Sequence, residues 1–304
     1  MPKTAPYFFN RFQCGKCCNS GPAIGAEEIF EYQDDFVISL RVNGMPMSYS
    51  ENEDAGFSRE EFDSLVEHAK TLWPVLDSPI SSEKRIVILG FCGMDFAYGR
   101  RKCKFVGDNG QCQMYDRRPY MCRSVPFDPA FPVDLQNICL DRFKKYGCIS
   151  HDHTQGELIF DDGQIHGDFA WQCQSKLNAM RADSAFYQAV SSMASAPDGH
   201  FFEFVRKYAR ELSGTDWVEV SPFHGLVALG MAHSSDPTYT DKILAFIDSQ
   251  ERLIKEGIDH AMRTKDKALR ERTNTYRLFL KDYVTCRSVI EHIRESLKKG
   301  AISE

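Results

Sequence analysis

Cys103-Lys-Phe-Val-Gly-Asp-Asn-Gly-Gln-Cys112-Gln-Met-Tyr115-Asp-Arg117-Arg118-Pro119-Tyr-Met-Cys122-Arg123-Ser-Val-Pro126 is the stretch on which the reading of this chain turns. Three cysteines are spaced along a segment rich in Gly, Asp and Asn. Asp108-Asn109-Gly110 is a turn signal, because Asn and Gly accept positive φ and an Asx side chain bonds its own backbone. Such a turn folds Cys103 back towards Cys112. Cys122 follows Pro119 closely and stands among Arg117, Arg118 and Arg123. Several thiolates in one place concentrate negative charge, so these arginines, with Tyr115, are the candidate groups surrounding a metal site.

Upstream, Phe12-Gln13-Cys14-Gly15-Lys16-Cys17-Cys18 holds a second block. A C-x-x-C turn lets two sulfurs reach one ion while backbone N–H groups point at the thiolates, although the same spacing serves a redox dithiol. Neighbouring residues of an extended chain project to opposite sides, so Cys17 and Cys18 do not easily share an ion. Either two metals are bound or one thiol is a spectator. The two blocks supply six candidate ligands: Cys14, Cys17, Cys18, Cys103, Cys112 and Cys122. A structural zinc ion or a 4Fe–4S cluster takes four protein ligands. Two zinc ions take up to eight, which brings in Cys139 and Cys148, with Cys173, His151 and His153 also within the segment. Cys92 lies in an apolar run and Cys286 in a helical one, and both read as core residues.

The two blocks together, C-x-x-C-C and then C-x(8)-C-x-x-Y-x-x-R-P-x-x-C-R-x-x-P, resemble the YkgJ-like cysteine-cluster family, a zinc- or iron-chelating domain named for its CxxCxxCC motif. The resemblance covers about residues 10–150. It implies metal binding, and through members similar to flagellin lysine-N-methylase it brings a protein methylase into consideration. Arg11 stands where the motif has its first cysteine, so one expected thiol is missing. Three readings follow: an iron–sulfur or iron protein, an enzyme of the lysine N-methylase kind, or a zinc-stabilised interaction module without catalysis.

Ten of the eleven cysteines fall within residues 14–173, an odd total in a 304-residue chain that needs no disulfides to build a core. The start, MPKTAPYFFNRFQC, has no apolar segment followed by a small-residue cleavage site, and the longest apolar runs fall short of the roughly 20 residues of a membrane span. A cytoplasmic protein with no membrane partner is expected. The net charge of -6 argues against a broad nucleic-acid-binding face. No phosphate-binding glycine loop, nucleophile elbow or H-E-x-x-H is present.

Working outward, the fold class is α+β: a loop-rich cysteine-cluster domain with short strands over 1–173, then a helical region over 174–304 packed on it. Strands are expected at 36–42 and 85–91, with a hairpin at 157–167 turning at Asp161-Asp162-Gly163. A short helix is expected over 25–32. Ser58 with Glu61 forms a capping-box pattern that opens another, reaching towards Trp73. The cysteine segments read as loops. Later helices are expected over 174–195, 200–213, 222–234, 239–263 and 265–299. Leu278, Leu280, Val284, Ile290 and Ile293 mark an apolar face on the last, which packs on the protein or meets a protein partner.

Overall fold

A computed structural model describes residues 5–10, 15, 18, 21–49, 57–77, 84–94, 103–195, 218–264 and 267–300. Strands and helices both occur, with short strands near the N-terminus and a helical C-terminal region, an α+β fold. Cys14, Cys17 and the helix expected over 200–213 lie outside the described residues.

Two antiparallel sheets organise the chain. In the first, the strand order is β6 (Ile149–Ser150), β1 (Tyr7–Phe9), β7 (Glu157–Asp161) and β8 (Gln164–Ile165). Asp162 and Gly163 both take positive φ, +47° and +75°, which is the geometry of a tight primed turn. The expected hairpin therefore closes where the sequence placed it. In the second sheet, β2 (Ala23–Ile24), β5 (Lys84–Met94), β3 (Val37–Pro46) and β9 (Val218–Val220) lie side by side, and β4 (Val75–Asp77) also pairs with β5. The β3–β5 ladder runs from Val37 opposite Met94 to Pro46 opposite Arg85, longer than the two apolar runs alone suggested. Residues 43–46 stay in the ladder because 85–88 continue opposite them.

Ser58 and Glu61 exchange both bonds of the capping box and open α1 (Arg59–Lys70), whose Phe62, Val66 and Ala69 pack on Ile86. Residues 25–32 hold only a 3-10 turn, Glu28–Phe30. The short helices α2 (Tyr120–Ser124) and α3 (Gln136–Lys144) carry Cys122 and Cys139. This corrects the expectation that the cysteine segments are all loops.

The helix expected at 174–195 is two helices, α4 (Asp168–Ala182) and α5 (Ser184–Ser195), parted at Asp183. Asp183 turns its carboxylate to the N–H of Ala26, 3.1 Å away. α4 begins earlier than expected because Phe169, Cys173, Lys176 and Met180 form its buried stripe.

The largest apolar core joins both halves of the chain. Ile38, Leu40 and Val42 of β3 and Phe91 of β5 pack with α5, α6 (Phe223–Ala232), α7 (Pro237–Thr264) and α8 (Lys267–Gly300). Gln250 of α7 is fully buried; its amide donates to the carbonyls of Gln33 and Phe36 and accepts the N–H of Ile38, completing the start of β3. On α8 the expected apolar face is met in part: Ile290 is buried and Leu280 and Ile293 pack against the core. Leu278 and Val284 are 58% and 67% exposed, whereas Tyr276, Phe279, Tyr283, Cys286 and Ile290 are buried at alternating spacings of three and four. Aromatic side chains and a cysteine complete the face that the aliphatic residues only partly marked. Among the described residues, no helix is long and apolar enough to cross a membrane.

Candidate metal centre

The second cysteine block folds as its composition dictates. Val106 and Cys112 form a bridge, Gln113 N–H donates to Phe105 C=O at 2.7 Å, and Gly107 N–H donates to Gln111 C=O at 2.9 Å. Gly110, at φ +79°, closes the turn by donating to Gly107 C=O. Cys103 and Cys112 thus stand on the two arms of one hairpin, partly exposed and packed against the large core.

Asn10, just before the first block, and Cys18, at its end, both bond main-chain atoms of other candidate ligands. Asn10 N–H donates to Cys148 C=O at 2.9 Å, extending the β1–β6 pairing. Cys103 N–H donates to Cys18 C=O at 3.1 Å, and Cys18 N–H to Gly15 C=O at 2.9 Å. Gly15 has φ +64°, and a Cβ there would lie 2.6 Å from Gly110 O and 2.8 Å from Val106 Cγ1. Only glycine lets the first block lie this close on the hairpin. Beyond Cys18 the chain enters β2, where Ala23 pairs with Cys92. The block therefore bridges the first sheet to the second.

Cys122, partly exposed, is the third residue of α2, which packs on β2 and α4. Its N–H donates to Pro119 C=O at 2.9 Å. Arg118 lies over the Tyr115 ring with its guanidinium carbon 3.8 Å from the centroid, donates from Nε to Tyr115 C=O, and reaches Cys122 C=O from Nη1 at 3.4 Å. Arg123 donates to Arg118 C=O and sits near the Tyr120 ring. Arg117 differs: its guanidinium forms a two-pronged pair with Asp35, while its carbonyl accepts the Tyr32 hydroxyl at 2.8 Å. Burial, with Glu28 and Glu31 adding to it, pushes the Tyr32 hydroxyl up to about 12, and Arg123 opposes the shift.

Cys139 is buried beside Asp128; burial first, then that carboxylate, holds its thiol well above its usual range. Cys173 is pushed up to about 12 by the same two causes. Cys148 packs with Cys173 against the first sheet's core, and its thiol points at Phe143 C=O, 3.9 Å away. His151 bonds Pro6 C=O through Nδ1 and Lys144 through Nε2, and His153 is exposed. Cys92 is buried in β5, bonded to Gly93 C=O at 3.4 Å and Gly21 C=O at 3.6 Å, and burial pushes it up to about 12. Cys286, buried in α8, is likewise pushed up to about 12.

Among the described residues, no three His, Cys, Asp or Glu side chains gather as a metal-holding group; Cys14 and Cys17 lie outside them. The donor chemistry on the tied segments nevertheless fits zinc or iron. Its groups are thiols, soft donors suited to either metal, and Cys18, Cys103, Cys112 and Cys122 are partly exposed residues.

Sequence reading missed Glu28. This carboxylate is only 5% exposed, accepting Gly25 N–H at 2.8 Å and Tyr120 N–H at 2.9 Å. Nothing in Ala26-Glu27-Glu28-Ile29 separates a buried glutamate from its solvated neighbour. No curated protein and no solved structure matches the chain. Residues 11–143 match the model of the family CxxCxxCC, described as "Putative zinc- or iron-chelating domain", and both cysteine blocks fall within this matched segment.

Proposed function

We propose that this chain holds a zinc or iron centre through the thiolates of Cys14, Cys17, Cys18, Cys103, Cys112 and Cys122, with Cys148 and Cys139 as further candidate ligands. One observation carries the reading: Cys18, at the end of the first block, accepts the N–H of Cys103, at the start of the second. Two cysteine blocks far apart in sequence are thereby held together without any metal. That lowers the conformational cost of assembling the ligands. The match over residues 11–143 adds independent support.

The protein's own contribution is to bring soft sulfur donors together from a hairpin, the short helix α2 and the tied first block. Gly15 and Gly110 allow the close approach, Arg118 braces the Cys122 carbonyl, and Tyr115 supports Arg118. Zinc bound there would be structural, while a 4Fe–4S cluster would carry electrons. Oxygen-free purification followed by metal and sulfide analysis and a visible spectrum separates the two. A coloured protein with stoichiometric iron and sulfide is the expected result for a cluster, and a colourless one with zinc for a zinc site. Cys122→Ser should lose metal and Cys286→Ser should keep it. Full metal content in Cys122→Ser would sink the site.

A further inference from the structure

We propose that Glu28 is a positioning residue for the Cys122 thiolate, its buried carboxylate fixing the first amide of the five-residue helix that carries this ligand. The proposal rests on Cys122 being a metal ligand. α2 starts after Pro119, which offers no side-chain cap, so its first N–H groups need partners from elsewhere. Glu28 supplies one from 92 residues away, Oε1 accepting Tyr120 N–H at 2.9 Å. An acceptor with negative charge also suits the positive end of a helix. Cys122 follows two residues later in the same turn.

The carboxylate is itself held from behind. Its Oε2 accepts Gly25 N–H at 2.8 Å, so both oxygens are occupied and the side chain spans a fixed gap. Next to it, Ala26 N–H is bound to Asp183 at the α4–α5 junction. Glu27 accepts the Tyr239 hydroxyl of α7 at 2.7 Å. Glu28 therefore stands on a segment anchored to the helical half, and it transmits that anchorage to α2. Replacement by Gln keeps the shape but turns an N–H donor towards a backbone donor, so one of the two bonds is lost.

The test uses the full chain, freed of metal and titrated without oxygen with cobalt(II), whose thiolate charge-transfer absorption reports sulfur ligation. In Glu28→Gln, cobalt affinity should fall by about ten- to a hundred-fold, the range for groups that orient a ligand. The spectrum of the saturated variant should also shift, which a loss of fold stability alone does not produce. Wild-type affinity and spectrum in Glu28→Gln overturn the proposal, and if Cys122→Ser has then lost absorption the metal site itself stands. Undiminished absorption in Cys122→Ser instead overturns the site, and the role of Glu28 falls with it. Should Glu28→Gln fail to fold, hydrogen exchange in the wild-type protein decides. A protected Tyr120 amide that gains protection with cobalt supports the proposal, and one exchanging like an open amide overturns it.

Discussion

The cysteine segments and the helical half are fastened by different means. Around Cys18, Cys103 and Cys122 the contacts are single main-chain bonds, a bridging carboxylate and stacked guanidinium groups. Across β3 and β5 from α6, α7 and α8 they are buried apolar side chains, with Gln250 as a fully satisfied polar insertion. Apolar burial is additive and tolerant of small displacements, whereas hydrogen bonds to a few fixed atoms set direction and are lost at once. Among the described cysteines, Cys18, Cys103, Cys112, Cys122 and Cys148 are partly exposed and Cys92, Cys139, Cys173 and Cys286 are buried, although Cys103 and Cys112 also touch the large core. The back of the molecule is built for stability and the front for holding groups in place.

The largest effect should come from the back. Phe246 is fully buried between Phe30 and the helical core, and Phe246→Ala should cost about 3–5 kcal/mol in a denaturation experiment. At temperatures where the variant is still folded, its metal content should equal that of wild type. A variant that folds yet loses metal in step with stability would erase the distinction between the two regions.

Next comes the joint between them. Burial, with Glu27 adding to it, raises the Asp183 carboxyl from near 3.8 to about 6, against the bond from Ala26 N–H and the charge of Lys176. The folded state therefore binds this proton more tightly than the unfolded chain. Its contribution is complete below about pH 3.8 and is lost as pH rises through about 6. Urea denaturation of wild type and Asp183→Asn should show the difference, wild type minus variant, falling between about pH 4 and pH 7. The fall is on the order of 3 kcal/mol at most. A difference that grows with pH would mean that the carboxylate stays ionised in the folded state.

Gly15→Ala addresses the front alone. The positive φ and the 2.6 Å approach to Gly110 O leave no room for a Cβ, and the strain should cost about 1–3 kcal/mol locally. Metal retention after dialysis against a chelator should fall, with the main thermal transition little moved. Unchanged retention would show that the close approach does not matter to the ligands.

How much of this was legible in sequence depends on the range of the signal. Ser58–Glu61, Asp162-Gly163 and Asp108-Asn109-Gly110 are local devices, and each folds as its spacing required. The α8 face was only partly legible, because Tyr276, Tyr283 and Cys286 bury beside Ile290 while Leu278 and Val284 stay exposed. The break at Asp183 and the role of Glu28 were invisible for another reason. Each is set by a partner 157 or 92 residues away, and nothing in the neighbouring residues announces it. The cysteine blocks were legible as a pair through their spacing, but their fastening to Cys103 and Cys148 runs through main-chain atoms, which carry no sequence signal.

Arg117 gives the smallest effect and the finest test of how the front is organised. The reading from sequence placed all three arginines around the thiolates, yet the structure directs them differently. Arg118 reaches the Cys122 carbonyl and Arg123 the Arg118 carbonyl, while the guanidinium of Arg117, half exposed, is matched by the more covered Asp35. Because Arg117 is open to water, which screens the charges, and both side chains lose freedom, a pair of this kind contributes about 1 kcal/mol or less. Arg117→Ala should therefore shift denaturation by less than that and leave cobalt affinity nearly unchanged. Arg118→Ala, which removes the brace on the Cys122 carbonyl, should lower cobalt affinity at least several-fold, since orientation of a ligand depends on the groups behind it. Equal losses in the two variants would mean that bulk positive charge, rather than directed contact, supports the cysteines. The division between a stabilising back and a positioning front would then have to be redrawn around electrostatics.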